Sequence, residues 1–123
     1  MARILVIDDS QFQRKILTSI LEKKGHEVHT AVDGREGYEK VRRERPDLVI
    51  CDLLMPGIDG YSFLKDMQNE GFQIPVLVLT SDIQETTRKI CLDLGACDVI
   101  HKPAKEENLL PAVERALSHR DRA

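Results

Sequence analysis

The sequence predicts an α/β domain in which five parallel strands form one doubly wound sheet with helices over both faces. Three observations carry this. Short apolar runs rich in β-branched residues recur at 4–7, 28–32, 48–51, 74–79 and 99–100, the composition of strands buried on both sides. The stretches between them place apolar residues at helical spacing. Regular alternation of strand and helix demands right-handed crossovers, which lay the helices over a parallel sheet. With 123 residues, 41% of them hydrophobic, the chain suits one core, so residues 1–123 read as a single domain with a short polar tail from about residue 119.

The first run, 4–7, ends in Asp8-Asp9. Ser10 and Gln13 then make a capping-box pair for a helix whose stripe is Phe12, Ile16, Leu17, Ile20 and Leu21, stopped by Gly25. After the second strand Asp33 caps the next helix, with Glu36 three residues on and Pro46 beyond its end. The third strand runs into Asp52. Asp59-Gly60 opens a helix carrying Phe63, Leu64 and Met67, with Gly71 past its end. Thr80 ends the fourth strand, and Ser81 or Asp82 caps a helix with Ile83, Thr87, Ile90, Cys91 and Leu94 at helical spacing before Gly95. The last strand leads to His101-Lys102, and the final helix turns Leu109, Leu110, Val113 and Leu117 inward. Its Pro111 fits only near the first turn, where backbone N–H groups lack partners anyway.

The strand order expected of this pattern is 2-1-3-4-5, flavodoxin-like, with the first and third strands adjacent at the switch point. Residues at the carboxyl ends of parallel strands share one edge, so Asp8, Asp9, Asp52, Thr80 and Lys102 are expected to converge there. Any one of these motifs has an ordinary reading: acids near a helix start serve its dipole, and Asp-Gly is a common turn. Four strand ends with complementary chemistry in one short domain argue for a site.

Composition narrows the function. The formal charge is −3 with both signs interspersed, which lacks the basic stripe of a direct nucleic-acid binder. No apolar run approaches the ~20 residues that insert into a bilayer, and Met-Ala-Arg-Ile does not open a signal peptide, so a cytoplasmic protein is expected. Cys51, Cys91 and Cys97 lack zinc-site spacing and read as small buried hydrophobes. His26, His29, His101 and His119 read as structural groups, His101 facing a helix, and Tyr61 and Phe63 as packing groups.

Crowded carboxylates repel one another, and a hard divalent cation relieves them. Mg²⁺ takes a few carboxylate oxygens and leaves positions open for a phosphoryl oxygen, which suits Asp8 and Asp9 with Asp52. Lys102 and Thr80 add a positive charge and a hydroxyl donor on the far side of that edge, suited to the equatorial oxygens of a phosphoryl group under in-line attack. Asp52, on the central strand, is the candidate nucleophile, and its product would be a labile acyl phosphate.

On these residues the chain resembles the response regulator receiver domains of two-component signalling. Ile4 to Asp9 resembles the family's first strand and acidic pair, Cys51 to Gly60 its phosphorylation segment, Leu79-Thr80-Ser81 its switch-hydroxyl strand, and His101-Lys102-Pro103 its lysine strand end, where the proline bond is commonly cis. The resemblance implies that Asp52 accepts phosphate, Asp9 binds Mg²⁺ directly, Asp8 assists through water, and the Leu54 backbone carbonyl completes the metal ligands. Thr80 would swing toward the phosphoryl group and Lys102 pair with it. The donor would be a sensor histidine kinase or a small molecule such as acetyl phosphate, the receiver catalysing its own phosphorylation and dephosphorylation rather than acting as a metabolic enzyme. A downstream protein, or a second copy in a weak homodimer, would meet the face of the fourth helix, fifth strand and fifth helix.

One departure bears on output and a second feature on phosphoryl lifetime. Val99 stands three positions before the lysine, where many receivers carry an aromatic switch, so the loop 80–84 and the fourth helix are expected to carry the signal. Leu54 and Asp82 occupy positions that tune dephosphorylation in the family the chain resembles; Leu54, with no polar side-chain atom to orient water, predicts a longer-lived phosphoryl state than a polar side chain would give, while Asp82 could position water or simply cap the helix. Among other functions, a haloacid-dehalogenase-like phosphatase would place its nucleophile after the first strand with a second acid two residues on, whereas Asp8-Asp9-Ser10-Gln11 follows here. A flavodoxin would cradle phosphate where Asp8-Asp9 repels it. A stand-alone, chemotaxis-type regulator is the expectation, with a receiver from a longer transcriptional regulator as the alternative.

Overall fold

Five strands, β1 (Arg3–Ile7), β2 (Glu27–Ala31), β3 (Leu48–Asp52), β4 (Val76–Thr80) and β5 (Asp98–His101), pair in parallel in the order β2-β1-β3-β4-β5. Five helices alternate with them: α1 (Gln11–Glu22), α2 (Gly34–Glu44), α3 (Gly60–Asn69), α4 (Glu85–Asp93) and α5 (Glu106–Arg122). The structure, a computed structural model, describes the backbone of residues 1–53 and 59–122, with side chains to residue 118. The strand order and the α/β class are those the sequence predicts, and α5 runs on through the segment read as a tail.

The two-residue period of a strand divides the core into two layers. Ile4, Val6, Leu48, Ile50, Leu77 and Leu79 point to one face and pack against Leu17 and Leu21 of α1 and Leu109 and Val113 of α5. Leu5, Ile7, Val49, Cys51, Val76 and Val78 point to the other, against Val41 of α2, Phe63, Leu64 and Met67 of α3, and Cys91 of α4. Every residue of β3 and β4 is buried, so the central strands are fixed most firmly, each such Leu or Val contributing roughly 1.5–3 kcal/mol. Among the described residues no helix is long and apolar enough to cross a membrane.

Three caps form as expected: Ser10, Asp33 and Asp59 each accept from the backbone N–H three residues on. α2 ends on Arg45 in the left-handed region at φ 49, with its guanidinium 4.8 Å from the centre of the Phe72 ring.

The departures are local. β2 and β4 lie one or two residues from their expected bounds, so Val32 falls outside β2 and is half exposed. Phe12, expected on the α1 stripe, is 74% exposed, because the first helical turn overhangs the sheet edge after β1 has ended at Ile7. α4 begins at Glu85 with Gln84 as a cap lacking a side-chain bond, rather than at Ser81 or Asp82. The Asp82 carboxylate instead accepts from the Gln84 N–H at 2.9 Å, holding the segment as a turn. Ile83 therefore precedes the helix and is exposed, as is Ile90 on its outer side, while Thr87 and Cys91 face in. Cys97 is exposed rather than buried, since it precedes β5 at the opposite edge from the site. Pro111 sits in the second turn of α5, and its solvent-facing position leaves water to satisfy the carbonyl it cannot bond. His101 is exposed rather than covered by a helix.

Candidate functional site

The carboxyl edge of the sheet brings the predicted groups together. Asp8 extends the ladder past β1, its N–H donating to the Ala31 carbonyl at 3.1 Å. Its Oδ1 accepts from the Ser10 N–H at 2.9 Å, and its backbone carbonyl accepts from the Arg14 guanidinium at 2.7 Å. Asp52 ends β3. One carboxylate oxygen from each of Asp8, Asp9 and Asp52 lies within 4.8 Å of the others. Asp8 and Asp52 are buried, and Asp9 opens to solvent.

Lys102 closes the cluster from the far side. Its Nζ stands 3.0 Å from Asp52 Oδ1 and 3.3 Å from Asp8 Oδ2. Burial pushes the Asp52 carboxyl above the usual range. Lys102 pulls it down, Asp8 and Asp9 push it up again, and the net shift is upward. For Lys102, burial alone would lower the ammonium, but the hydrogen bond and charge of Asp52, with the charge of Asp8, outweigh it and raise it. One ammonium against three carboxylates leaves the pocket two charges short of neutrality. Hard oxygen donors, an excess of negative charge and one open side fit a divalent cation.

Backbone contacts hold these groups at the edge. The Leu53 N–H donates to the Leu79 carbonyl at 3.1 Å, and the Lys102 N–H to the Thr80 carbonyl at 2.8 Å. The chain returns to the end of β3 at Gly60, whose N–H donates to the Leu53 carbonyl at 2.8 Å. A Cβ on Gly60 would lie 2.7 Å from the Asp52 carbonyl oxygen, so only glycine permits this approach. The Lys102–Pro103 bond is cis. Thr80 is buried, and its Oγ1 accepts from the Asp82 N–H at 3.0 Å.

Asp8, Asp9, Asp52 and Lys102 thus form one constellation, with Thr80 ending the strand beside β3. The Leu54 carbonyl, the remaining predicted ligand, lies outside the described residues. Sequence reasoning missed Arg14 and the polar partners of Thr87. The available signal for Arg14 was its place one turn before Leu17, on the inward side of α1.

Such a fold and pocket define a receiver-type module, with acids at the switch point of a five-stranded sheet facing a lysine. The chain belongs to the response regulator receiver domain family of two-component signalling, whose model matches residues 4–114. It is 39% identical over 120 residues to protein PilH of Pseudomonas aeruginosa, covering 96% of this chain and 99% of that protein. It is also 39% identical over 118 residues to response regulator MprA of Mycolicibacterium vanbaalenii, spanning 51% of that longer protein. The solved structure of chemotaxis protein CheY4 from Vibrio cholerae superposes with a TM-score of 0.88 at 35% identity, over 95% of this chain and 99% of that one. The acid triad is typical of the receiver metal site, and membership implies a histidine kinase partner.

Proposed function

We propose that this receiver takes a phosphoryl group from a phosphohistidine of a sensor kinase onto Asp52. The observation that carries the reading is the Asp52 carboxylate, set 3.0 Å from Lys102 and within 4.8 Å of the Asp8 and Asp9 oxygens. An Asp52 oxygen attacks phosphorus in line, the P–N bond to the imidazole breaks, and the imidazole leaves with the bond pair. Lys102 remains beside the phosphoryl oxygens as a fixed positive charge. Thr80 Oγ1 is the acceptor in its bond to Asp82, so its own proton is not engaged there and can be donated to a phosphoryl oxygen once the side chain turns toward Asp52. Asp8, Asp9, Asp52 and the Leu54 carbonyl are the residues that would hold Mg²⁺, which when bound supplies positive charge against the phosphoryl oxygens.

Output passes to a protein partner through the face of α4, β5 and α5, in the manner of a chemotaxis-type regulator. The likeness to chemotaxis protein CheY4 supports this mode, while the match to half of response regulator MprA keeps a longer regulator as the second reading. Intact-mass measurement after incubation with acetyl phosphate and Mg²⁺ tests the core reading. A phosphate adduct on the wild type that is lost in Asp52→Asn supports it, and an equal adduct in both refutes it.

A further inference from the structure

The geometry points to a latch, made by Asp82 and Thr87, that holds the Thr80 hydroxyl in its resting direction and couples its release to the first turn of α4. This deepens the reading of Thr80 given above and rests on it. Four polar or charged side chains are buried among the described residues: Asp8, Asp52, Thr80 and Thr87. The first three belong to the site. Thr87 lies on α4, and its hydroxyl donates to Asp82 Oδ2 at 2.7 Å.

The contacts form one chain. Thr80 Oγ1 accepts from the Asp82 N–H at 3.0 Å, Asp82 Oδ1 accepts from the Gln84 N–H at 2.9 Å, and Asp82 Oδ2 accepts from Thr87. The Asp82 backbone that engages Thr80 is therefore pinned by its own side chain to α4. The Asp82 carboxyl lies below its usual range, owing first to Thr87 and then to Gln84, as expected when both bonds favour its charged form. The next residue, Arg88, ties α4 to β5 through the Val99 carbonyl at 3.1 Å and Asp98 at 3.4 Å. For Thr80 to turn toward Asp52, the Asp82 N–H must lose its acceptor. The turn 81–84 and the start of α4 then lose their anchor together.

Breaking the latch destabilises the resting arrangement alone, so a phosphoryl mimic binds more tightly. The test measures the apparent affinity for beryllium fluoride with Mg²⁺ in the wild type, Thr87→Val, Thr87→Ser and Asp82→Ala, with amide exchange at Asp82 and Gln84. Valine keeps the buried shape and loses the hydroxyl, while serine keeps the hydroxyl. A hydrogen bond to a half-exposed carboxylate corresponds to about a three- to tenfold gain in affinity. That gain is expected in Thr87→Val and Asp82→Ala, with faster exchange at both amides and wild-type behaviour in Thr87→Ser. Asp82→Ala alters the loop rather than the packed helix, so it reads the latch even if Thr87→Val fails to fold. Wild-type affinity in the folded variants, whatever their melting temperature, overturns the latch and leaves the site reading intact. A wild-type protein that takes no beryllium fluoride overturns both.

Discussion

Gly60→Ala tests whether the end of β3 is held by close backbone approach. The added Cβ would stand 2.7 Å from the Asp52 carbonyl oxygen, 2.7 Å from Leu53 Cα and 2.9 Å from the Leu53 oxygen. Non-bonded heavy atoms settle at roughly 3.5–4.0 Å, so α3 and the end of β3 must part by most of an ångström. All three atoms are main chain, and no rotamer change relieves them. Overpacking of this kind costs about 1–3 kcal/mol. Against it, alanine gains about 1 kcal/mol in helix propensity and unfolded-chain entropy. A net loss of up to about 2 kcal/mol is therefore expected, measured by urea unfolding followed by circular dichroism, since the chain has no Trp. The larger effect falls on function: an error near 1 Å in a reacting group costs on the order of 10²-fold, so adduct formation at Asp52 should slow by about that factor. Gly37→Ala is the control. Its Cβ would meet the Ile7 side chain, Cδ1 at 2.3 Å and Cγ1 at 2.9 Å, which costs stability while leaving the Asp52 backbone where it is. If Gly60→Ala proves as stable and as readily phosphorylated as the wild type, the argument fails.

Three further outcomes are expected. Lys102→Met leaves three carboxylates without their ammonium, so the metal-free protein should lose about 2 kcal/mol, less than a sealed ion pair because Asp9 is open to water. Its melting temperature should rise more steeply with MgCl₂ than that of the wild type, and a smaller rise would contradict the charge argument. Asp82, with its pKa lowered by Thr87 and then Gln84, contributes stability above the ordinary aspartate value of about 3.9 and loses it as pH falls through its own lower value. The Gln84 amide resonance should follow that acid titration, and an unmoved signal would disprove the bond. Cys97 is the exposed cysteine, yet desolvation of its sulfur pushes the thiol up to about 11. One slow thiol per native chain should therefore react with a disulfide reagent, at a rate still rising above pH 9, and the other two only after denaturation; two fast thiols would show that the packing is wrong.

The parts legible in the sequence were those decided within a few residues. Ser10, Asp33 and Asp59 cap their helices because each side chain reaches an N–H three residues away, and that bond needs no tertiary partner. The start of α4 was not legible. Ser81 and Asp82 both look like caps, but Asp82 spends its backbone N–H on Thr80 and its carboxylate on Gln84 and Thr87, and the helix waits until Glu85. Phe12 and Cys97 are exposed for a related reason: hydrophobicity records what a side chain tolerates, whereas burial depends on whether another element lies above it.

Periodicity and the handedness of crossovers were enough, from sequence alone, to call for a parallel sheet covered on both faces and to put acids, a hydroxyl and an amine at carboxyl ends of strands, the order of those strands following from the flavodoxin-like pattern. Only the tertiary structure decided that Lys102 approaches Asp8 across 94 residues to 3.3 Å, that Arg14 steadies Asp8, and that Thr80 is tethered through Asp82 to α4. Local pattern determines which face or end a residue occupies. Distances between ends depend on how closely separate elements pack, as Gly60 shows where α3 meets the backbone of β3.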